Sequence, residues 1–204
     1  MKKISLSIIL FCFSLCQIAQ TGQLTLSLNE QLILAINTEK INELKILLAK
    51  GANANSVDSG GISALMLAVT RESQNTDEIA KILIQNGANV NLSNSFKETI
   101  LMLAISNKKI NYNLIELIVS KSSNLNAKDS EGNTALFYAI KKNDFNISRL
   151  LIEKGANINL QNIKGKTPLM ISISNSINRN KFFNEISKFL ILKNADVNIK
   201  DNAR

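Results

Sequence analysis

The stretch DSEGNTALFYAIKKNDFNISRLLIEKGANINLQ, residues 129–161, decides the fold. It holds a turn with Gly132, a hydroxyl at Thr134, an apolar run ending on the small residue Ala139, a second apolar run with the pair Leu151-Ile152, and a stop at Gly155. Apolar residues at helical spacing between a hydroxyl start and a glycine stop read as helices. Close relatives of the stretch lie on both sides, so the unit is a repeat.

The pattern [ST]-x-L-x-x-[AS] recurs as Ser63-Ala64-Leu65-Met66-Leu67-Ala68, Thr99-Ile100-Leu101-Met102-Leu103-Ala104, Thr134-Ala135-Leu136-Phe137-Tyr138-Ala139 and Thr167-Pro168-Leu169-Met170-Ile171-Ser172. An N-terminal version without the hydroxyl is Leu32-Ile33-Leu34-Ala35. The closing small residues stand at 35, 68, 104, 139 and 172, spaced 33, 36, 35 and 33 residues apart. A second series marks each unit's end: Gly51-Ala52-Asn53-Ala54-Asn55, Gly87-Ala88-Asn89-Val90-Asn91, Ser122-Ser123-Asn124-Leu125-Asn126, Gly155-Ala156-Asn157-Ile158-Asn159 and Asn194-Ala195-Asp196-Val197-Asn198.

These five copies resemble ankyrin repeats, whose pattern is a G-x-T-P-L-H-x-A turn and first helix, a second helix with paired leucines, then G-A-D-V-N. The resemblance covers residues 28–202 as units 28–57, 58–93, 94–128, 129–161 and 162–202. It implies an all-α solenoid of paired antiparallel helices with β-hairpin or loop connections.

Each residue type has a physical task. Ser63, Thr99, Thr134 and Thr167 are placed to accept from free N–H groups at a helix start, and Pro168 stands where a missing N–H costs nothing. The small column lets stacked helices approach. The pairs Leu47-Leu48, Leu83-Ile84, Ile118-Val119, Leu151-Ile152 and Leu190-Ile191 mark buried stripes. Gly51, Gly87, Gly155 and Asn194 fit a left-handed helix stop, and Ser122 fits it less well. Repeat three also carries Lys97 where Gly61, Gly132 and Gly165 stand elsewhere, so it is the expected weak link. Longer spacings place insertions near 72–76, 108–112 and 174–181, the last with Phe182 and Phe183, read as capping the final helix.

Composition agrees with an aliphatic helical protein: 45% of the 204 residues are hydrophobic and 5% aromatic, with no Trp. The formal charge of +8 is basic, but Lys and Arg are spread along the chain. That spread weighs against nucleic-acid binding. No His is present, and both cysteines, Cys12 and Cys16, lie near the amino terminus. With no Gly-rich phosphate loop and no G-x-S-x-G either, neither a catalytic, metal nor cofactor site is expected. Glu72, Asp77 and Glu78 lie close together but read as a solvated face.

Residues 1–20, MKKISLSIILFCFSLCQIAQ, pair two lysines with an apolar run too short to span a bilayer, which reads as a secretory signal. A buried first helix is the alternative, and it lacks a polar stripe. Ala19 could precede the cut, although Gln17 is not the small residue wanted two positions earlier. A second alternative is lipid attachment at Cys16, with Leu15 departing from the small residue usual before such a cysteine. Heavy use of Asn, Ile and Lys suggests an AT-rich bacterial source. Residues 21–27 form a short lead-in.

By the resemblance, partners lie on the concave side, on hairpin tips and first-helix ends. The matching candidates are Ile62, Arg71, Phe96, Glu98, Glu131, Asn133, Lys141, Lys142, Lys164 and Lys166. Phe96 is the aromatic expected on a tip, either as an anchor or folded onto its neighbours. The lysines of adjacent repeats make a patch suited to an acidic protein surface. The expected protein is a monomer acting as an exported interaction module. A lipid-anchored envelope scaffold and a secreted effector acting on a host protein are the alternatives.

Overall fold

The computed structural model describes residues 26–177 and 185–202. Among them ten helices alternate with turns: α1 (Leu28–Asn37), α2 (Ile41–Ala49), α3 (Ala64–Thr70), α4 (Thr76–Gln85), α5 (Ile100–Ser106), α6 (Tyr112–Lys121), α7 (Ala135–Lys142), α8 (Phe145–Glu153), α9 (Pro168–Ile177) and α10 (Glu185–Leu192). Each odd-numbered helix packs on its even-numbered successor, and each also packs on the matching helix of the next repeat. Two helical layers result, one of first helices and one of second helices. No strand occurs among the described residues; the hairpins carry only isolated bridges, Val57 to Ser63 and Ser93 to Thr99.

Burial follows the columns read from the sequence. Ala35, Ala68, Ala104, Ala139 and Ser172 are all buried, as are Leu44, Leu47, Ile79, Leu83, Leu114, Ile118, Ile147, Leu151, Ile186 and Leu190. The second member of each pair behaves less uniformly: Ile84 and Val119 are buried, while Ile191 is exposed. Among the described residues no further helix packs beyond α10, so nothing covers that position. The core is aliphatic apart from Phe137, which is fully buried.

Three of the four expected caps form. Ser63, Thr99 and Thr167 accept from the amides of Met66, Met102 and Met170. Thr134 does not: the Phe137 amide bonds the Thr134 carbonyl at 2.9 Å instead, and Thr134 Oγ1 is buried without a partner. Helix α1 starts before the motif and is capped by Ser27, whose Oγ accepts from Glu30 N while Glu30 Oε2 accepts from Ser27 N. This is a reciprocal capping box.

The helix stops also match. Gly51, Gly87, Gly155 and Asn194 have positive φ, whereas Ser122 is extended at φ −76°. Lys97 takes the left-handed conformation of the hairpin glycines, at φ 59°. The first two insertions appear as the connections 71–75 and 107–111. Phe182 and Phe183 lie outside the described residues.

Candidate partner-binding surface

The hairpin that opens each of repeats two to five is built by one residue, Asp58, Asn94, Asp129 or Asn162. Its side-chain Oδ1 accepts two amides, for example Phe96 and Glu98 on Asn94, or Lys164 and Lys166 on Asn162, all at 2.8 to 3.1 Å. Short Asp and Asn side chains close such turns because they reach their own backbone. Successive tips are joined through the backbone: Ser130 N donates to Phe96 O at 2.9 Å, Ile163 N to Glu131 O at 3.0 Å and Asn202 N to Lys164 O at 3.1 Å. Glycine is required where the last tip meets Asn202. A Cβ on Gly165 would stand 2.7 Å from Asn202 N, and φ there is +71°.

On this strip Phe96 is 65% and Ile163 62% exposed, so Phe96 does not fold down; Ile62 is also exposed. Lys141 and Lys164 are exposed, and Lys166 and Glu98 are half-buried. Lys141 Nζ sits over the Tyr138 ring, 5.7 Å from its centroid. Tyr138 links two hairpins, its hydroxyl lying 2.9 Å from Glu98 Oε1 and 2.8 Å from Asp129 Oδ2. Burial, then the two carboxylates, push its pKa up. At Asp129 burial pushes the pKa up, but the bonds from Asn133, Tyr138 and Glu131 outweigh it and hold the carboxyl below its usual value.

Four expected binding residues turn their polar groups onto the protein itself. Asn133 is 1% exposed; it donates to Asp129 and Glu131 and accepts from Asn162, so it fastens hairpins together rather than presenting a tip. Glu98 Oε2 accepts from Asn94 Nδ2, and its Oε1 shares the Tyr138 hydroxyl with Asp129. Arg71 Nη2 donates to Asn37 O at 2.8 Å and Nη1 to Asn37 Oδ1 at 3.1 Å. Lys142 Nζ donates to the carbonyls of Ile105 and Asn107, and burial pushes its pKa down.

Arg71 and Lys142 belong to a series that the sequence did not reveal. Asn107 Nδ2 likewise donates to the carbonyls of Val69 and Arg71. Each of the three stands three positions after the small residue and caps the first helix of the preceding repeat, satisfying carbonyls that a helix end leaves free. A second ladder runs along the unit ends. The side chains of Asn29, Asn55, Asn91, Asn126 and Asn159 accept from the backbone of Asn53, Asn89, Ser123, Asn157 and Asp196 at 2.7 to 2.9 Å. Recurrence of the unit-end asparagines was visible in the sequence; the reach of Asn55, Asn91, Asn126 and Asn159 into the neighbouring repeat was not.

Glu72, Asp77 and Glu78 do not converge on a site. Glu78 pairs with Lys45 at 2.9 Å, Asp77 accepts from Asn111 N, and Glu72 is exposed. Among the described residues no group of three His, Cys, Asp or Glu is placed to hold a metal ion, and no helix is long and apolar enough to cross a membrane.

A family model described as ankyrin repeats, in three copies, matches the chain over the overlapping stretches 15–94, 32–129, 72–162 and 101–201. No curated protein matches it.

Proposed function

Since the chain belongs to the ankyrin repeat family, whose members are generally non-enzymatic protein-interaction modules, we propose that it is an exported module holding another protein on its hairpin side. The observation that carries this is the joined strip of tips with Phe96 and Ile163 fixed and exposed on it. Large apolar side chains held in the open are the usual anchors of an interface. Export rests on residues 1–20, a lysine start followed by a short apolar run.

Crosslinking and pull-down from the native envelope fraction tests the strip. The wild-type chain should recover a partner that Phe96→Ala and Lys141→Glu recover poorly; equal recovery by both variants would sink the assignment. Fractionation of cells with sequencing of the mature amino terminus tests export, and an uncleaved cytoplasmic chain would refute it. Finding the chain only in the periplasm would remove the reading of a secreted effector acting on a host protein.

Cys16, at the end of the apolar run, favours a second reading, a lipid-anchored envelope scaffold. Metabolic labelling with a fatty acid should then mark the wild type and not Cys16→Ser. Absence of label in both removes that reading.

A further inference from the structure

We propose that the strip formed by the third, fourth and fifth hairpins takes an acidic peptide segment of the partner, with apolar side chains of that segment seated on Phe96 and Ile163. This deepens the reading of the hairpin side as the binding side and rests on it.

The apolar anchors stand on fixed backbone. Single exposed hydrophobic residues are ordinary on any surface. Phe96 and Ile163 differ because their backbones are tied from both directions. Phe96 N donates to Asn94 Oδ1 at 3.0 Å and its carbonyl accepts from Ser130 N at 2.9 Å. Ile163 N donates to Glu131 O at 3.0 Å and its carbonyl accepts from Asn202 Nδ2 at 3.0 Å. A ligand meeting them need not order the loops, which removes one of the main costs of association.

The charged part is sorting. Glu98 Oε2 accepts from Asn94 and its Oε1 shares the Tyr138 hydroxyl with Asp129, Asp129 is only 8% exposed, and the exposed Glu131 accepts from Asn133 through Oε2. Glu98 and Asp129 are therefore turned onto the protein's own donors, and the exposed Glu131 is outnumbered by Lys141, Lys164 and Lys166. Lys141, Lys164 and Lys166 have no carboxylate within ion-pair distance among the described residues. The strip thus offers more free cationic groups than free carboxylates, which complements carboxylates on a partner. A nucleic acid would call for clustered cations along a backbone track, and the strip has separated lysines around apolar anchors.

The test pans random peptides displayed on phage against the immobilised full chain, then measures affinity with synthetic copies of the selected peptides. The expected peptides are rich in Asp or Glu and carry an aromatic or branched aliphatic residue. Their affinity should weaken about tenfold in Phe96→Ala, in Ile163→Ala and in the double variant Lys141→Glu with Lys164→Glu, and should fall as salt rises. All four side chains lie outside the core, so the unfolding midpoint should stay unchanged and certify each variant. Neutral or basic peptides that still lose affinity with Phe96→Ala would overturn the acidic assignment while leaving the hairpin side as the binding side. Peptides insensitive to every substitution would overturn both. Failure to select any peptide, or tighter binding of a single-stranded oligonucleotide than of the selected peptides, would also overturn the proposal.

Discussion

Repeats three and four build the same unit with different residues at the same points. In repeat four glycine fills both left-handed sites, Gly132 in the hairpin and Gly155 after the second helix. Repeat three has Lys97 and Ser122 there, and the backbone answers the two departures differently. Lys97 keeps the hairpin conformation, at φ 59°. Ser122 abandons the left-handed stop for φ −76° and ψ 129°, and its Oγ donates to Ile118 O at 2.7 Å. The hairpin has no freedom to change, because Lys97 N is bonded to Asn94 O and the adjoining Phe96 carbonyl is held by the next repeat. The helix end does, because a serine side chain can satisfy a carbonyl that the usual stop would have satisfied through the backbone. The bond to the preceding repeat survives with its donor moved back one residue: Ser123 N bonds Asn91 Oδ1 at 2.8 Å, where the other units use the third residue of the stop, Asn53, Asn89, Asn157 or Asp196. Neighbouring repeats therefore decide where a wrong residue is strained and where it is accommodated.

The largest effect expected from this comparison is in the core. Phe137 and Met102 occupy the same position, two residues before the small one, and both are almost wholly buried. Phe137→Ala should cost about 3–5 kcal/mol and Met102→Ala about 2–5 kcal/mol, read from urea unfolding. A larger loss at Met102 would show that its sulfur, which accepts from Thr99 N at 3.4 Å, matters beyond packing.

Overpacking comes next. Ala139 is fully buried in α7, a helix with α5 on one side and α9 on the other. Ala139→Leu has no room and should cost about 1–3 kcal/mol or more. Ala104→Leu in α5 should cost a similar amount, since that helix lies between α3 and α7. An unchanged thermal midpoint in either variant would contradict the stacking of first helices.

The stacking itself was legible in the sequence because burial, helix stops and small contacts are each tied to residue type. Ala139, Leu151 and Gly155 announce their tasks. The inter-repeat caps do not, because Arg71, Asn107 and Lys142 share only the ability to donate, and a column of Arg, Asn and Lys shows no common residue. Asn133 misleads for the opposite reason. It has the composition of a loop tip, yet Asp129, Glu131 and Asn162 enclose it. At Thr134 the capping motif is intact and the cap is missing, because the amide it would have taken is already bonded to a carbonyl.

Smaller effects test the strained site. Lys97→Gly should stabilise the protein by about 1 kcal/mol, the left-handed cost for an L-residue less the added freedom of glycine in the unfolded chain. Amide exchange across 94–128 should slow with it, since this is the repeat expected to open most readily. The converse change, Gly132→Ala, should destabilise repeat four: φ is +76° and a Cβ there would stand 3.0 Å from Ile163 N. Faster exchange after Lys97→Gly would mean that the lysine side chain contributes more than its backbone costs.

The smallest effect should reverse sign between the two repeats. Thr99 Oγ1 accepts from Met102 N at 3.3 Å, so Thr99→Val removes a working cap and should cost about 1 kcal/mol. Thr134 Oγ1 is buried and unpartnered, since Phe137 N is bonded to the Thr134 carbonyl. Thr134→Val keeps the shape and deletes a polar group that gave up its water for nothing, so it should be neutral or stabilising by about 1 kcal/mol. The two variants, compared by thermal and urea unfolding in the same buffer, differ only in whether the hydroxyl has an amide to accept from. Equal losses at both positions would mean that Thr134 caps α7 in solution after all, and the distinction between the two helix starts would fall.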